Sequence, residues 1–123
     1  MSPPYLKNAG QGSGLSVFTG LEALLIKHPS TTFLIHSKGE SMNPVVQDGD
    51  LLLVDSSLTP CHGNLVLAFV NGCLMVRQLF QREGITTLLA ANPQYSELDV
   101  TVGFDFYVWG VVTNLIRPIN SLL

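Results

Sequence analysis

The chain has 123 residues, 46% of them hydrophobic and 12% charged, with a formal net charge of −3. Its length fits one domain of ~100–150 residues, and its apolar share is too high for a disordered segment. Six basic against nine acidic residues exclude a stand-alone nucleic-acid-binding module, which needs a clustered basic face to meet phosphates.

Residues 1–14 hold Pro3, Pro4, Gly10, Gly12 and Gly14 among small polar residues. Such a stretch has little to bury and many conformations to lose, so residues 1–18 are expected to form a flexible N-terminal arm. Thr19-Gly20-Leu21-Glu22 has the pattern of a capping box. Leu21, Leu24 and Leu25 then follow at the spacing of one helix face, and His28-Pro29 ends the helix because proline disfavours helical geometry in the residue before it.

Beyond that short helix the pattern is strand and turn. Thr31–Ser37, Leu51–Asp55, Asn64–Val70, Cys73–Gln81, Ile85–Ala91, Leu98–Val102 and Phe106–Ile116 read as strands, with Asn71-Gly72 as the strongest hairpin signal. The expected fold is mainly β, a single domain over residues 19–123 with one short N-terminal helix. Trp109 and Met42 read as packing residues, and Asp48, Asp50 and His62 as turn residues.

No apolar run approaches the ~18–20 residues of a membrane span. Met1-Ser2-Pro3-Pro4-Tyr5 has neither the basic nor the apolar region of a secretory signal, so the expected location is cytoplasmic, with Cys61 and Cys73 as reduced thiols. His28, His36 and His62 form no metal-binding spacing, and the arm glycines lack the strand context of a phosphate loop. No metal or cofactor is expected. The low charged share leaves neutral surface, which points to a partner or self-association.

Gly39-Glu40-Ser41-Met42-Asn43-Pro44 lies between a strand and the turn Asp48-Gly49-Asp50. A glycine there allows a sharp turn that presents a serine hydroxyl at a corner. A loop serine between two strands accounts for the same spacing.

Gly39-Glu40-Ser41-Met42 followed by Asp48-Gly49-Asp50-Leu51-Leu52-Leu53-Val54-Asp55-Ser56 resembles the serine region of the UmuD/LexA family of self-cleaving proteins. The similarity continues, in order, through His62-Gly63-Asn64-Leu65-Val66, Asn71-Gly72, Val76-Arg77-Gln78-Leu79, Ala91-Asn92-Pro93-Gln94-Tyr95 and Trp109-Gly110-Val111-Val112. Leu24-Leu25-Ile26-Lys27-His28-Pro29-Ser30 looks like UmuD rather than LexA.

The resemblance implies a strand-rich homodimer whose serine, activated by a neutral lysine, attacks a peptide bond in the protein's own N-terminal arm. It also implies promotion of that reaction by a RecA–single-stranded-DNA filament. Trimmed UmuD-type dimers then join a UmuC-type polymerase in SOS-induced, error-prone translesion synthesis. Carried onto this chain, Ser41 takes the nucleophile position. Nucleic acid is then met through partners, with no membrane involved.

The family's general-base lysine falls in a Val-Lys pattern in the strand after the hairpin. Here that position reads Val76-Arg77. A guanidinium offers donors and no acceptor, so self-cleavage is expected to be lost or slowed. Lys38, three residues before Ser41, is the nearest lysine in sequence. Ala9-Gly10, the only Ala-Gly pair, matches the family's small-residue–glycine cleavage site, and an extended chain from there spans ~100 Å to Ser41. A chance dipeptide in a glycine-rich linker accounts for it equally well. The competing readings are an active self-protease with another base, and the C-terminal domain of a LexA- or phage-type repressor. A signal peptidase, which also uses Ser and Lys, has no membrane anchor to match here.

Overall fold

The computed structural model describes the backbone of Lys7–Asn8 and residues 24–119. Among the described residues eight antiparallel strands form one sheet: β1 (Lys7–Asn8), β2 (Thr32–His36), β3 (Leu51–Asp55), β4 (Leu65–Val70), β5 (Cys73–Arg82), β6 (Ile85–Leu89), β7 (Leu98–Asp99) and β8 (Phe106–Ile116). Their order across the sheet is β1-β2-β3-β8-β4-β5-β6-β7. Both outer strands have two residues, which leaves short edges for unwanted pairing. The mainly β expectation holds.

Of the expected helix, the described residues include two helical ones, Leu24 and Leu25. The capping box at Thr19–Glu22 lies outside the described residues. No helix among the described residues is long and apolar enough to cross a membrane.

Hairpin turns follow the local chemistry. Asn71 and Gly72 both adopt positive φ, 50° and 83°, as a two-residue turn between β4 and β5 requires. Glu83 and Gly84 repeat the device between β5 and β6, at 54° and 79°. Two strands are shorter than their patterns suggest. Beyond Leu89 the chain leaves the ladder so that Asn92 N can donate to Ser41 O at 2.9 Å. After Asp99, the Thr101 hydroxyl accepts from Thr86 N at 2.9 Å, so a side chain takes over from the β7 ladder.

The sheet has core on both faces, which explains why β4 reads as a continuous apolar run. Ile35, Leu52, Val54 and Leu67 pack on one side with Met42 and Val46 from the loop between β2 and β3. Val66, Ala68, Val70, Leu79 and Leu88 pack on the other with Val100. Trp109 joins the first group and meets Phe33 edge-on, with ring centres 4.7 Å apart.

The central strand β8 is bulged twice. Its register steps from Leu53↔Asn114 to Val54↔Val112, and from Leu67↔Gly110 to Ala68↔Val108, so Thr113 and Trp109 are extra residues on β8. Bulges bend a strand and increase its twist. In a flat sheet β2 and β5, four places apart, would lie ~19 Å apart. Here residues of both line one cavity, so the sheet curls around it.

Candidate active site

The cavity has a volume of about 520 Å³. Ile35–Gly39, Ser41, Met42 and Val46 line one side, and Leu67 with Leu74–Arg77 line the other. Ser41 is carried by the loop between β2 and β3, whose base extends the pairing of those strands. Ser37 N donates to Asp50 O and Gly49 N to Ser37 O, each at 2.8 Å. Gly39, at φ +91°, turns the chain and donates its N–H to Asp48 Oδ1 at 2.9 Å. That φ is open to glycine at little cost.

The far side of the loop is anchored from below and from the C-terminal strand. Met42 and Val46, 5% and 2% exposed, bury their side chains in the core, and Val46 N donates to Met42 O at 2.9 Å. Asp50, 2% exposed, accepts from Gln47 N at 2.7 Å and from Arg117 through Nε at 2.7 Å and Nη2 at 2.6 Å. The hydrogen bonds from Arg117 hold the Asp50 carboxyl below its ordinary pKa, against the opposing effect of burial. Asp48 and Asp50 therefore build the loop that presents Ser41.

A third tether comes from the chain after β6. Asn92 donates through its backbone N–H to Ser41 O at 2.9 Å and through Nδ2 to Glu40 O at 3.0 Å. Its two bonds grip the residues on either side of the Glu40–Ser41 peptide. In the sequence Asn92 stands within one of the segments that carry the family resemblance, but its contact with the serine loop is found by the fold alone.

Arg77 reaches Ser41 from β5. The pairing of β5 with β6 begins at Gln78↔Leu89, so over Cys73–Arg77 β5 has no partner strand on that side among the described residues. The Arg77 guanidinium sits at this open edge. Its Nη1 donates to Ser41 Oγ at 2.5 Å and to Val76 O at 3.1 Å. Its Nε is buried with no hydrogen-bond partner among the described residues. Burial lowers the Arg77 pKa, and the Tyr95 phenol acts in the opposite sense. A group whose ordinary value exceeds ~12 stays a cation through that shift.

The structure therefore brings Ser41 and Arg77 together across 36 residues of sequence. Lys38 lines the same cavity but is exposed, and Arg77 is the side chain that hydrogen-bonds Ser41 Oγ among the described residues. Ala9 and Gly10 lie outside the described residues. Lys7 and Asn8, just before them, pair with Leu34 and Phe33 of β2. Chemically, Ser41 Oγ receives a proton donor where a nucleophile needs an acceptor. Its own hydrogen stays free to be donated outward, because a hydroxyl can accept and donate at once.

Comparison with known proteins agrees with this architecture. The family model described as Peptidase S24-like matches residues 10–113. Protein ImpA of Salmonella typhimurium is 34% identical over 104 residues, which cover 83% of this chain and 70% of ImpA. Protein MucA of Escherichia coli is 32% identical over 96 residues, 76% of this chain and 65% of MucA. LexA repressor 2 of Pseudomonas putida is 28% identical over 120 residues, 93% of this chain and 59% of the repressor. With a strand-rich sheet, a corner serine and a family match across most of its length, the chain belongs to the Peptidase S24-like family, in the UmuD/LexA group that its motifs resemble.

Proposed function

We propose that this chain is a UmuD-type accessory subunit in SOS-induced, error-prone translesion synthesis, whose own cleavage chemistry is disabled. It acts as a cytoplasmic homodimer that engages a UmuC-type polymerase and a RecA–single-stranded-DNA filament. The UmuD-like relatives ImpA and MucA, at higher identity than LexA repressor 2, support the accessory-subunit role.

One observation carries the loss of cleavage: the Arg77 guanidinium lies at 2.5 Å from Ser41 Oγ, where a proton acceptor is needed. A buried lysine can lose its proton because desolvation lowers its pKa. Guanidinium does not, and it has no lone pair to offer.

The test incubates the chain with activated RecA filament, and separately at alkaline pH, and follows shortening on a gel. The wild type is expected to stay intact. Cleavage of the wild type that disappears in Ser41→Ala would establish an active self-protease with another base. The polymerase role is tested separately, by co-purification of the intact chain with a UmuC-type polymerase. Failure to associate defeats that role whatever the cleavage assay gives.

A further inference from the structure

We propose that the Ser41–Arg77 cleft captures the C-terminal carboxylate of an extended peptide that ends in a small or apolar residue. Among the described residues the charged side chains lining the cavity are the cations Arg77 and Lys38. Arg77 Nη2 has no hydrogen-bond partner among the described residues, and Nη1 already holds Ser41 Oγ and Val76 O. Because Ser41 Oγ accepts from Arg77, its own hydrogen is available to another acceptor. Lys38 adds a second cation to the lining, and no carboxylate among the described residues lines the cavity.

Among the described residues that cationic charge is uncompensated. Arg117 pairs with Asp50 and His28 hydrogen-bonds Asp55, and among the described residues neither Arg77 nor Lys38 has a carboxylate within 4.0 Å. A half-buried guanidinium has given up hydration and regains it best from a charge-assisted bond to an anion. A carboxylate is acceptor-only and matches a guanidinium beside a donating hydroxyl.

The rest of the cleft selects what carries the carboxylate. Ile35, Met42, Leu67 and Leu74 supply an apolar wall. The edge of β5 over Cys73–Arg77, unpaired among the described residues, offers backbone groups to an added strand, and that edge ends at the cation. A C-terminal residue bears its carboxylate and its side chain on one Cα, so it meets Arg77 and the wall together. The inference rests on the reading that Ser41 does not turn over, and it is independent of the polymerase role.

The experiment titrates the full wild-type chain calorimetrically with acetyl-Ala-Val-Ala bearing a free carboxylate, with its C-terminal amide, and with acetyl-Ala-Val-Glu amide. The free acid is expected to bind at least about tenfold tighter than either amide, and Arg77→Gln is expected to abolish the difference while its melting curve stays cooperative. Equal binding of acid and amide, or no binding of the acid at 10 mM on the order of a weak-ligand limit, overturns the proposal. Equal binding of the glutamyl amide overturns the assignment to a chain terminus. Should Arg77→Gln fail to fold, the wild-type comparison decides alone, with added salt expected to weaken only the acid. Mass spectrometry of the chain after titration detects turnover, which would defeat the non-cleaving reading separately from binding.

Discussion

Arg77 Nη1 donates to Ser41 Oγ at 2.5 Å, joining β5 to the loop between β2 and β3 and setting a cation against the serine hydroxyl. Shortening the side chain to an amine removes the fixed charge without emptying the site. Arg77→Lys is therefore expected to gain self-cleavage by about 10²–10⁴-fold over the wild type, the usual size of a general-base effect. Burial disfavours the charged amine, so the rate should climb as pH rises through the depressed lysine pKa and then level off. Time courses on a gel across pH 6–10, on the order of the range in which such an amine titrates, check both the gain and its direction. A flat profile would assign the gain to something other than an amine base.

The Asn92 tether predicts an effect on position rather than on chemistry. Asn92→Ala removes the Nδ2 bond to Glu40 O and the Oδ1 bond accepted from Gln94 N, and leaves the backbone bond to Ser41 O. The expected loss of stability is about 1 kcal/mol. In an Arg77→Lys background, cleavage should slow by about tenfold to a hundredfold, because misplacing a nucleophile is costly. Urea melts and cleavage time courses on the same samples separate the two. A rate loss no greater than the unfolded fraction accounts for would remove Asn92 from the positioning of Ser41.

Asp55 makes the fold sensitive to acid. It is 3% exposed, and burial pushes its pKa up. Hydrogen bonds outweigh that: Ser57 donates through its backbone N–H at 2.9 Å and its hydroxyl at 2.7 Å, His28 Nδ1 donates at 2.7 Å and Thr31 Oγ1 at 2.9 Å. The result is a carboxyl lowered to about 2 from 3.8. A folded pKa below the unfolded one means that Asp55 stabilises fully above pH 4 and loses this contribution as pH falls toward 2, by ~2 kcal/mol. Chemical denaturation at pH 7, 4, 3 and 2 should show that fall, and Asp55→Asn should be less stable at pH 7 and flatter below 4. Parallel profiles for the two proteins would remove Asp55 as the source.

What could be read from the residues was whatever depends on near neighbours. Asn71-Gly72 demands a two-residue turn through its own φ preferences, and the bounds of β3 and β8 follow from turn residues beside apolar runs. The strand order could not be read that way. β8 enters between β3 and β4, and no local signal names its neighbours. Ser41 and Arg77 stood out through their motifs, whereas their contact depends on the curl set by the bulges at Trp109 and Thr113. Asp50 looked like a turn residue and is one, but its partner Arg117 is 67 residues away, and charge type alone did not select it among the six basic side chains.

Gly110 tests whether that curl depends on how closely β3 and β8 approach. It is the β8 residue opposite Leu67, next to the bulged Trp109, and a Cβ built there would lie 2.6 Å from Val54 Cγ1 and 3.2 Å from the Asp55 carbonyl oxygen. Val54 is fully buried, so its side chain has little space into which to retreat, and the Asp55 carbonyl belongs to the β3 backbone. Gly110→Ala must therefore push β3 away from β8 or turn Val54 out of its preferred rotamer, at a cost of about 1–3 kcal/mol. Because β3 follows directly from the Ser41 loop, the same displacement should reduce cleavage in the Arg77→Lys background by more than the stability loss explains. Val54→Ala combined with Gly110→Ala removes the closest contact, at 2.6 Å, and should be less unstable than the sum of the two single changes. Simple additivity of the two losses would mean that the methyl group finds room without moving Val54, and that the tight packing of β3 on β8 does not set the position of the serine loop.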